Sequence, residues 1–336
     1  MGGKLFDLPR MPRADYLERE AEIRAYLDRE LPGGYRIPRY HDGKADFGDM
    51  DVIVATAADW GERRQRWAAE LGITRIKIVG HVFSTVYREL QTDFFAVPAA
   101  RLDSMHAFMS FNDVGNIIGR LCRRFNLTWG EDGLSYVHRR ASSDSYRADL
   151  PITQDLARVC AFLGLDHAHW QRGFADLDAL FTWVTASPYF SVAPYLDAVG
   201  GEMKSKSKLR PTIVRFIAWL GERGLDQRPA FGDRTSYVAQ IAAAFPEADL
   251  PGQLAAEHVA EAHAIALRGK WSGKRVMQLR PELAGAALGE FIQAFRAELG
   301  GAEAFEQWVL GASDDEIAAR IVAFSPGIAP DDSRGS

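Results

Sequence analysis

Gly48-Asp49-Met50-Asp51-Val52-Ile53-Val54 is the stretch on which the reading of this chain turns. Asp51 to Ala55 is rich in β-branched residues and reads as a strand. Side chains two apart on a strand point to the same face. Asp49 and Asp51 would therefore present two carboxylates side by side at the start of a buried strand. Hard divalent cations take such oxygen ligands. Two carboxylates held close in water-poor surroundings repel unless a cation neutralises them.

A bare Asp-x-Asp carries little information. The chain holds 45 acidic residues in 336, so roughly six acid-x-acid triplets are expected by chance. Three features of context raise this one. The pair leads straight into an apolar strand. A glycine turn, Gly33-Gly34, lies upstream. A third acid, Asp93, stands in the extended and otherwise uncharged Leu90-Gln91-Thr92-Asp93-Phe94-Phe95-Ala96-Val97. A lone Asp in such a strand is costly without a partner. That partner is either a metal shared with Asp49 and Asp51 or a nearby arginine such as Arg88. Asp46 reads as a solvated loop residue.

Working outward, residues 1–12 read as a loose leader. Asp15 is expected to cap a helix running to about Leu31, with Tyr16, Ile23, Leu27 and Leu31 on one face. Pro32-Gly33-Gly34 stops it, and Tyr35 to Tyr40 reads as an edge or bulged strand. A helix over 58–72 follows, then β-like stretches at about 73–79, 82–88 and 89–97, then helices over 112–127 and 153–163. From about residue 165 only helical patterns remain: 176–186, 211–224, 234–244, 253–268, 284–299, 302–310 and 314–323. The last opens with a capping box, Ser313-x-x-Glu316. The expected organisation is an α/β (α+β) core with a small mixed sheet over 13–165, an all-α domain over 166–324 and a disordered tail over 325–336.

The composition, 47% hydrophobic and 25% charged, excludes wholesale disorder and collagen-like repeats. No apolar run is long enough to span a membrane, and the N-terminus lacks a secretory signal pattern. Cys122 and Cys160 both fall in helical stretches, so a disulfide framework is not expected and a reducing cytoplasm fits best. His167 with His169, and His258 with His263, lack the spacing of a zinc pair and read as incidental. A net charge of −5 argues against a globally basic nucleic-acid coat but allows a local basic groove.

The residues around Gly48-Asp49-Met50-Asp51-Val52 resemble the signature of the DNA polymerase β-like nucleotidyltransferase superfamily, with Asp93 as its third carboxylate on a neighbouring strand. The likeness continues through Phe108-Met109-Ser110-Phe111-Asn112-Asp113-Val114-Gly115-Asn116, Arg120 and Thr128-Trp129-Gly130-Glu131, which are similar to the segment of family X polymerases that closes the nucleotide pocket. It implies that Asn116 contacts the incoming nucleotide, that Asp113 packs near its base, and that Arg120 and Glu131 organise the minor-groove side. It covers about residues 30–165. The departures are specific. Fourteen residues, Tyr35 to Gly48, separate the Gly-Gly pair from Asp49, more than usual. Gly34 replaces a common serine, and Phe111 stands where a glycine normally lies beside the sugar. The helix-hairpin-helix DNA-binding region expected of a gap-filling polymerase does not precede the core.

The resemblance implies transfer of a nucleoside monophosphate from a nucleoside triphosphate, with two Mg²⁺ (or Mn²⁺) ions roughly 3.5–4 Å apart clamping the attacking and leaving oxygens. Asp49 and Asp51 would bridge both ions, and Asp93 would hold the one that activates the acceptor hydroxyl. Gly33, Gly34 and Gly48 would let backbone approach the phosphates. Arg36, Arg39 and Lys44 are the candidate phosphate cations, with a solvated surface role as the alternative for each.

In the helical half, Lys204-Ser205-Lys206-Ser207-Lys208-Leu209-Arg210 suits either phosphate-backbone contact or a solvated linker. Phe216 and Trp219 read as core. Lys270-Trp271-Ser272-Gly273-Lys274-Arg275-Val276-Met277 and the glycines Gly285 and Gly289 look like the helical tail of bacterial tRNA nucleotidyltransferases and poly(A) polymerases. The expected acceptor is an RNA 3′ end, possibly that of a tRNA. The rivals are a small family X-type DNA polymerase, a nucleotidyltransferase acting on a small molecule or protein, and a non-catalytic nucleic-acid-binding module.

Overall fold

The structure, a computed structural model, describes residues 5–56, 59–140, 146–196 and 210–325. The chain runs β1 (Met11–Pro12), α1 (Arg13–Glu30), β2 (Tyr35–Arg36), β3 (Asp46–Phe47), β4 (Asp49–Ala55), α2 (Trp60–Glu70), β5 (Ile76–Val79), β6 (Val82–Tyr87) and β7 (Leu90–Val97). Next come α3 (Leu102–Met109), α4 (Val114–Cys122), β8 (Leu127–Gly130), β9 (Gly133–Arg139), β10 (Arg147–Thr153), α5 (Leu156–Leu163), α6 (His167–Arg172), α7 (Leu177–Thr185) and α8 (Ala193–Leu196). The rest is helical: α9 (Pro211–Glu222), α10 (Val238–Ala244), α11 (Leu250–Lys270), α12 (Gly273–Leu279), α13 (Gly285–Glu298), α14 (Ala302–Gly311) and α15 (Asp314–Ala323). This is the expected α/β class, a mixed sheet followed by a helical C-terminal region.

The main sheet has the order β2-β4-β7-β6-β5. β4 and β7 run parallel, and the other neighbours are antiparallel. The alternation of β4 decides how it lies. Met50, Val52 and Val54 are fully buried and pack with Tyr26 and Leu27 of α1 and Trp67 of α2. Asp49, Asp51, Ile53 and Ala55 occupy the other face. Ile53 there packs with Leu102 and Met105 of α3, while the aspartate end of the strand stays half-buried.

Several local expectations are corrected. Helix α1 starts at Arg13 from Pro12, whose φ of −57° already suits helix entry, so Asp15 lies in the first turn instead of capping it. The leader is not loose over its described part. Met11 and Pro12 pair antiparallel with Phe47 and Asp46. The Phe6 ring is buried under Arg75 and Lys77, at 5.4 and 5.5 Å from its centroid. These contacts are long-range and leave no periodic trace in the sequence. Helix α4 is shorter than expected because Phe111 and Asn112 both take positive φ, 58° and 61°. Strands β8, β9 and β10 form a second sheet that the sequence pattern did not reveal.

The described residues within Met1–His138 and Arg147–Pro251 form one compact unit, and those within Arg139–Tyr146 and Gly252–Ser336 another. The division therefore falls far beyond the boundary expected at 165. The reason is packing. Phe174 lies edge-on to Phe111 at 4.9 Å, Phe125 meets Phe162 and Tyr237 at 4.9 Å each, and the Asp42 and Gly43 N–H groups donate to Phe174 O and Ala175 O at 2.9 and 2.7 Å. The loop leading into β3 and β4 is thus bonded to the segment after α6. The second unit has its own core of Trp271, Val276, Phe291, Phe295, Phe305, Val309, Ile317 and Ile321, and its last helix carries the expected Ser313–Glu316 capping box. Residues 326–336, the bulk of the expected tail, lie outside the described residues.

Helices α3 and α4 meet at Gly115, where a Cβ would collide with the Phe108 carbonyl oxygen. That backbone cannot yield without moving the turn that carries Asp113. Gly115→Ala is expected to destabilise the protein by about 1–3 kcal/mol. Gly61→Ala, in open space near the start of α2, should lie within about 0.5 kcal/mol of wild type or be slightly more stable. Denaturant midpoints compare the two, and equal midpoints would refute the close-packing argument.

Candidate metal centre

Parallel pairing of β4 with β7 sets Asp51 directly opposite Asp93 and Asp49 opposite Gln91. Antiparallel pairing sets Ser84 of β6 opposite Asp93 on its other side. Asp49, Asp51 and Asp93 thereby converge, with ligand atoms all within 4.8 Å of one another. Among the described residues this is the one group of three or more metal-ligating side chains. The cluster could hold a metal ion.

The local chemistry fits a cation. Asp93 is 9% exposed. Its Oδ2 accepts a hydrogen bond from Gln91 Nε2 at 2.8 Å, and its Oδ1 is buried with no partner. An oxygen in that state costs about 1–3 kcal/mol unless something binds it. Arg88, the alternative partner, instead donates to Glu22 at 2.5 Å. The Asp51 carboxyl is pushed up to about 8, first by burial and then by repulsion from Asp49 and Asp93, with Lys44 pulling the other way. Burial also raises Asp93, against hydrogen bonding by Ser84 and Gln91.

The remaining expected site residues separate into groups. Gly48 joins β3 to β4 and is buried. Lys44 stands by the carboxylates, its Nζ 4.2 Å from the Phe47 ring centroid and 5.9 Å from that of Tyr40. Burial lowers its pKa, and Asp49 opposes that. Gly33 (φ +73°) and Gly34 sit at the other end of β4. The Ala55 N–H donates to Gly34 O at 2.8 Å, and Tyr35 pairs with Val54. Asp49 is six strand positions away from Ala55, about 20 Å at 3.3 Å per residue. The turn is therefore not placed to cradle a phosphate held by the three aspartates. Arg36 lies at that same end, bonded to Gly33 O at 2.9 Å and to Asp103 at 2.9 Å. Arg39 donates to Trp170 O at 2.7 Å and lies over the Phe111 and Trp170 rings at 5.0 and 5.3 Å.

Asp113 and Asn116 bond to each other at 3.3 Å, and Asp113 also accepts from Arg210 at 2.8 Å. Arg120 lies over the Tyr195 ring at 5.1 Å. None of these contacts runs to Asp51 or Asp93. Lys204, Lys206 and Lys208 lie outside the described residues. The basic stretch from Lys270 has structural work: Lys270 Nζ donates to Leu310 O and Ala312 O at 2.7 and 2.8 Å, and Arg275 bonds Asp314 at 2.7 Å. Asp46 is exposed and paired with Arg10 at 2.8 Å. Sequence reading missed Gln91 and Ser84. For Gln91 the signal was present, since it lies two positions before Asp93 on the same strand face, whereas Ser84 is brought there by the β6–β7 pairing.

A scan of protein-family models finds no match to this chain, and a search of curated proteins finds no significant one. No helix among the described residues is long and apolar enough to cross a membrane.

The raised Asp51 carboxyl gives a stability test. A carboxyl whose pKa is higher in the fold than in the unfolded chain holds its proton longer in the fold. The fold is then penalised as pH rises from about 4 to about 8, where the unfolded chain has already ionised. In EDTA, Asp51→Asn should equal wild type near pH 4 and exceed it at pH 8.5, by at most about 5 kcal/mol. Saturating Mn²⁺ should reverse the order at pH 8.5, because only the wild type gains binding energy. Melting curves with and without Mn²⁺ read both effects, and a pH-independent difference in EDTA would refute the electrostatic account.

Proposed function

We propose that this chain is a metal-dependent nucleotidyltransferase that moves a nucleoside monophosphate from a nucleoside triphosphate to a nucleic-acid 3′-hydroxyl, with RNA as the acceptor. One observation carries the reading: Asp49, Asp51 and Asp93 converge from two parallel strands within 4.8 Å, and a buried Asp93 oxygen has no partner. Structural carboxylates are normally paired with cations or hydrogen-bond donors, and burial of repelling acids without compensation is unfavourable.

Asp49, Asp51 and Asp93 would hold Mg²⁺ or Mn²⁺. When bound, such ions supply charge stabilisation at the phosphates and lower the pKa of the attacking hydroxyl. The chain's own residues set the geometry. Asp49 and Asp51 fix one side of the site because they share a strand face, and Asp93 fixes the opposite side through the β4–β7 register. Lys44, backed by Phe47 and Tyr40, places a positive charge next to the carboxylates, where a triphosphate would lie. The rigid sheet and the helices on its other face hold the acids in place without a substrate.

A second reading has an observation in its favour. Arg210, the described member of the basic run, spends its charge on Asp113, which weakens the case for a polynucleotide acceptor. In that reading the same chemistry serves a small molecule or a protein.

One incorporation assay distinguishes these. Purified protein is given Mg²⁺ or Mn²⁺, each labelled NTP or dNTP, and in turn tRNA lacking its 3′ end, oligo-RNA, primed DNA, or no acceptor. RNA labelling is expected, with Asp51→Asn reduced at least about 100-fold. Labelling of the protein itself or of no polymer would move the acceptor to the second reading, and dNTP use on primed DNA would make the chain a polymerase. Equal labelling by wild type and Asp51→Asn would overturn the active-site assignment.

A further inference from the structure

We propose that Gln91 and the backbone N–H of Leu5 form a positioning relay that fixes the orientation in which the Asp93 carboxylate is offered to the metal centre. The inference rests on reading the three aspartates as a metal site, and it assigns a role to the chain's N-terminal segment.

The relay consists of two bonds. Leu5 N–H donates to Gln91 Oε1 at 3.2 Å, and Gln91 Nε2 donates to Asp93 Oδ2 at 2.8 Å. Gln91 is 3% exposed, so water cannot readily substitute for either partner. A side-chain amide has two orientations, and its neighbours here agree on one. A backbone N–H can only donate, so Oε1 must face Leu5. An ionised carboxylate can only accept, so Nε2 must face Asp93. Reversing the amide would set Oε1 against Asp93 Oδ2 and the NH₂ against the Leu5 N–H, breaking both bonds.

This matters because the terminal torsion of an aspartate is broad and nearly two-fold. Without Gln91, the plane of the Asp93 carboxylate would be held less firmly, with Ser84 the remaining hydrogen-bonding neighbour. With Oδ2 held by Gln91, Oδ1 is left buried and unpartnered, and it is the ligand oxygen. Preorganisation of that kind is what outer contacts give to metal ligands.

Leu5 is itself held. Its carbonyl accepts from Lys77 Nζ at 3.0 Å, the next carbonyl, Phe6 O, accepts from Arg75 at 2.8 Å, and the Phe6 ring is buried beneath both cations. The N-terminal segment is thus clamped to residues just before and within β5, and among the described residues the Leu5 N–H reaches β7. That N–H faces the site through Gln91.

The test is Mn²⁺ affinity, measured from the free-ion electron paramagnetic resonance signal on the full chain, with melting temperature recorded in parallel. Four variants are compared with wild type: Gln91→Ala, Leu5→Pro, which removes the backbone N–H while also replacing the side chain and fixing φ, Leu5→Ala, which changes the side chain and keeps the N–H, and Asp51→Asn. The relay predicts about 10-fold weaker binding for Gln91→Ala and a loss of at least about 3-fold for Leu5→Pro, with Leu5→Ala matching wild type. If Gln91→Ala fails to fold, the Leu5 pair carries the test. A merely structural role would lower the melting temperature of Leu5→Pro and leave its Mn²⁺ affinity unchanged, and that result overturns the relay. Failure of the site reading looks different: wild type and Asp51→Asn would then bind Mn²⁺ equally.

Discussion

The parallel register of β4 on β7 is the constraint from which the rest follows. It sets Asp51 across from Asp93, and the two-residue period of a strand brings Asp49 to the same face. A shift of one residue would turn the aspartates into the packed side, against Trp67 and Tyr26, and expose Met50, Val52 and Val54. The buried side therefore fixes the register, and the register fixes the site. Hydrophobic burial on one face supplies the free energy that holds three mutually repelling groups together on the other.

The sequence made that much legible because the signal is local. An apolar strand led by two acids, and an acid in an otherwise uncharged strand, can be read from spacing alone. Position along the strand could not be read in the same way. Fourteen residues lie between Gly33-Gly34 and Asp49 in a segment that doubles back, and β2 pairs with β4 antiparallel, so the glycine turn ends beside Ala55 rather than Asp49. A turn placed by sequence distance alone had no way to show which end of the strand it would reach.

The same distinction explains the domain boundary and the helix ends. A helical pattern after residue 165 is correctly read as helix, but periodicity says nothing about what a helix packs on. Trp170 and Phe174 lie against Phe111, at 5.7 and 4.9 Å, and so join the helices after the sheet to the site's scaffold. The consecutive left-handed residues Phe111 and Asn112 are disfavoured for side chains with a Cβ. Phe111 is held by long-range contacts, its N–H donating to Arg39 O at 2.6 Å and its ring buried. Neither contact is local enough to appear in the sequence pattern.

The arginines show how charge is distributed around the centre. Arg36, Arg39 and Arg210 each lie in a stretch that suited either phosphate contact or a solvated role on sequence grounds, and each donates to a carbonyl or carboxylate of the protein itself. A guanidinium has a fixed fork of donors, which suits such fixed acceptors. Lys44, a point charge on a flexible stem, stands next to the aspartates. When the three carboxylates are ionised, Lys44 offsets part of their negative charge and leaves an excess that a divalent cation would offset. A second cation would need negative charge from outside the chain, and a polyphosphate brings it. If the proposed nucleotidyl transfer holds, a second ion would be expected to join only together with a phosphate-bearing ligand.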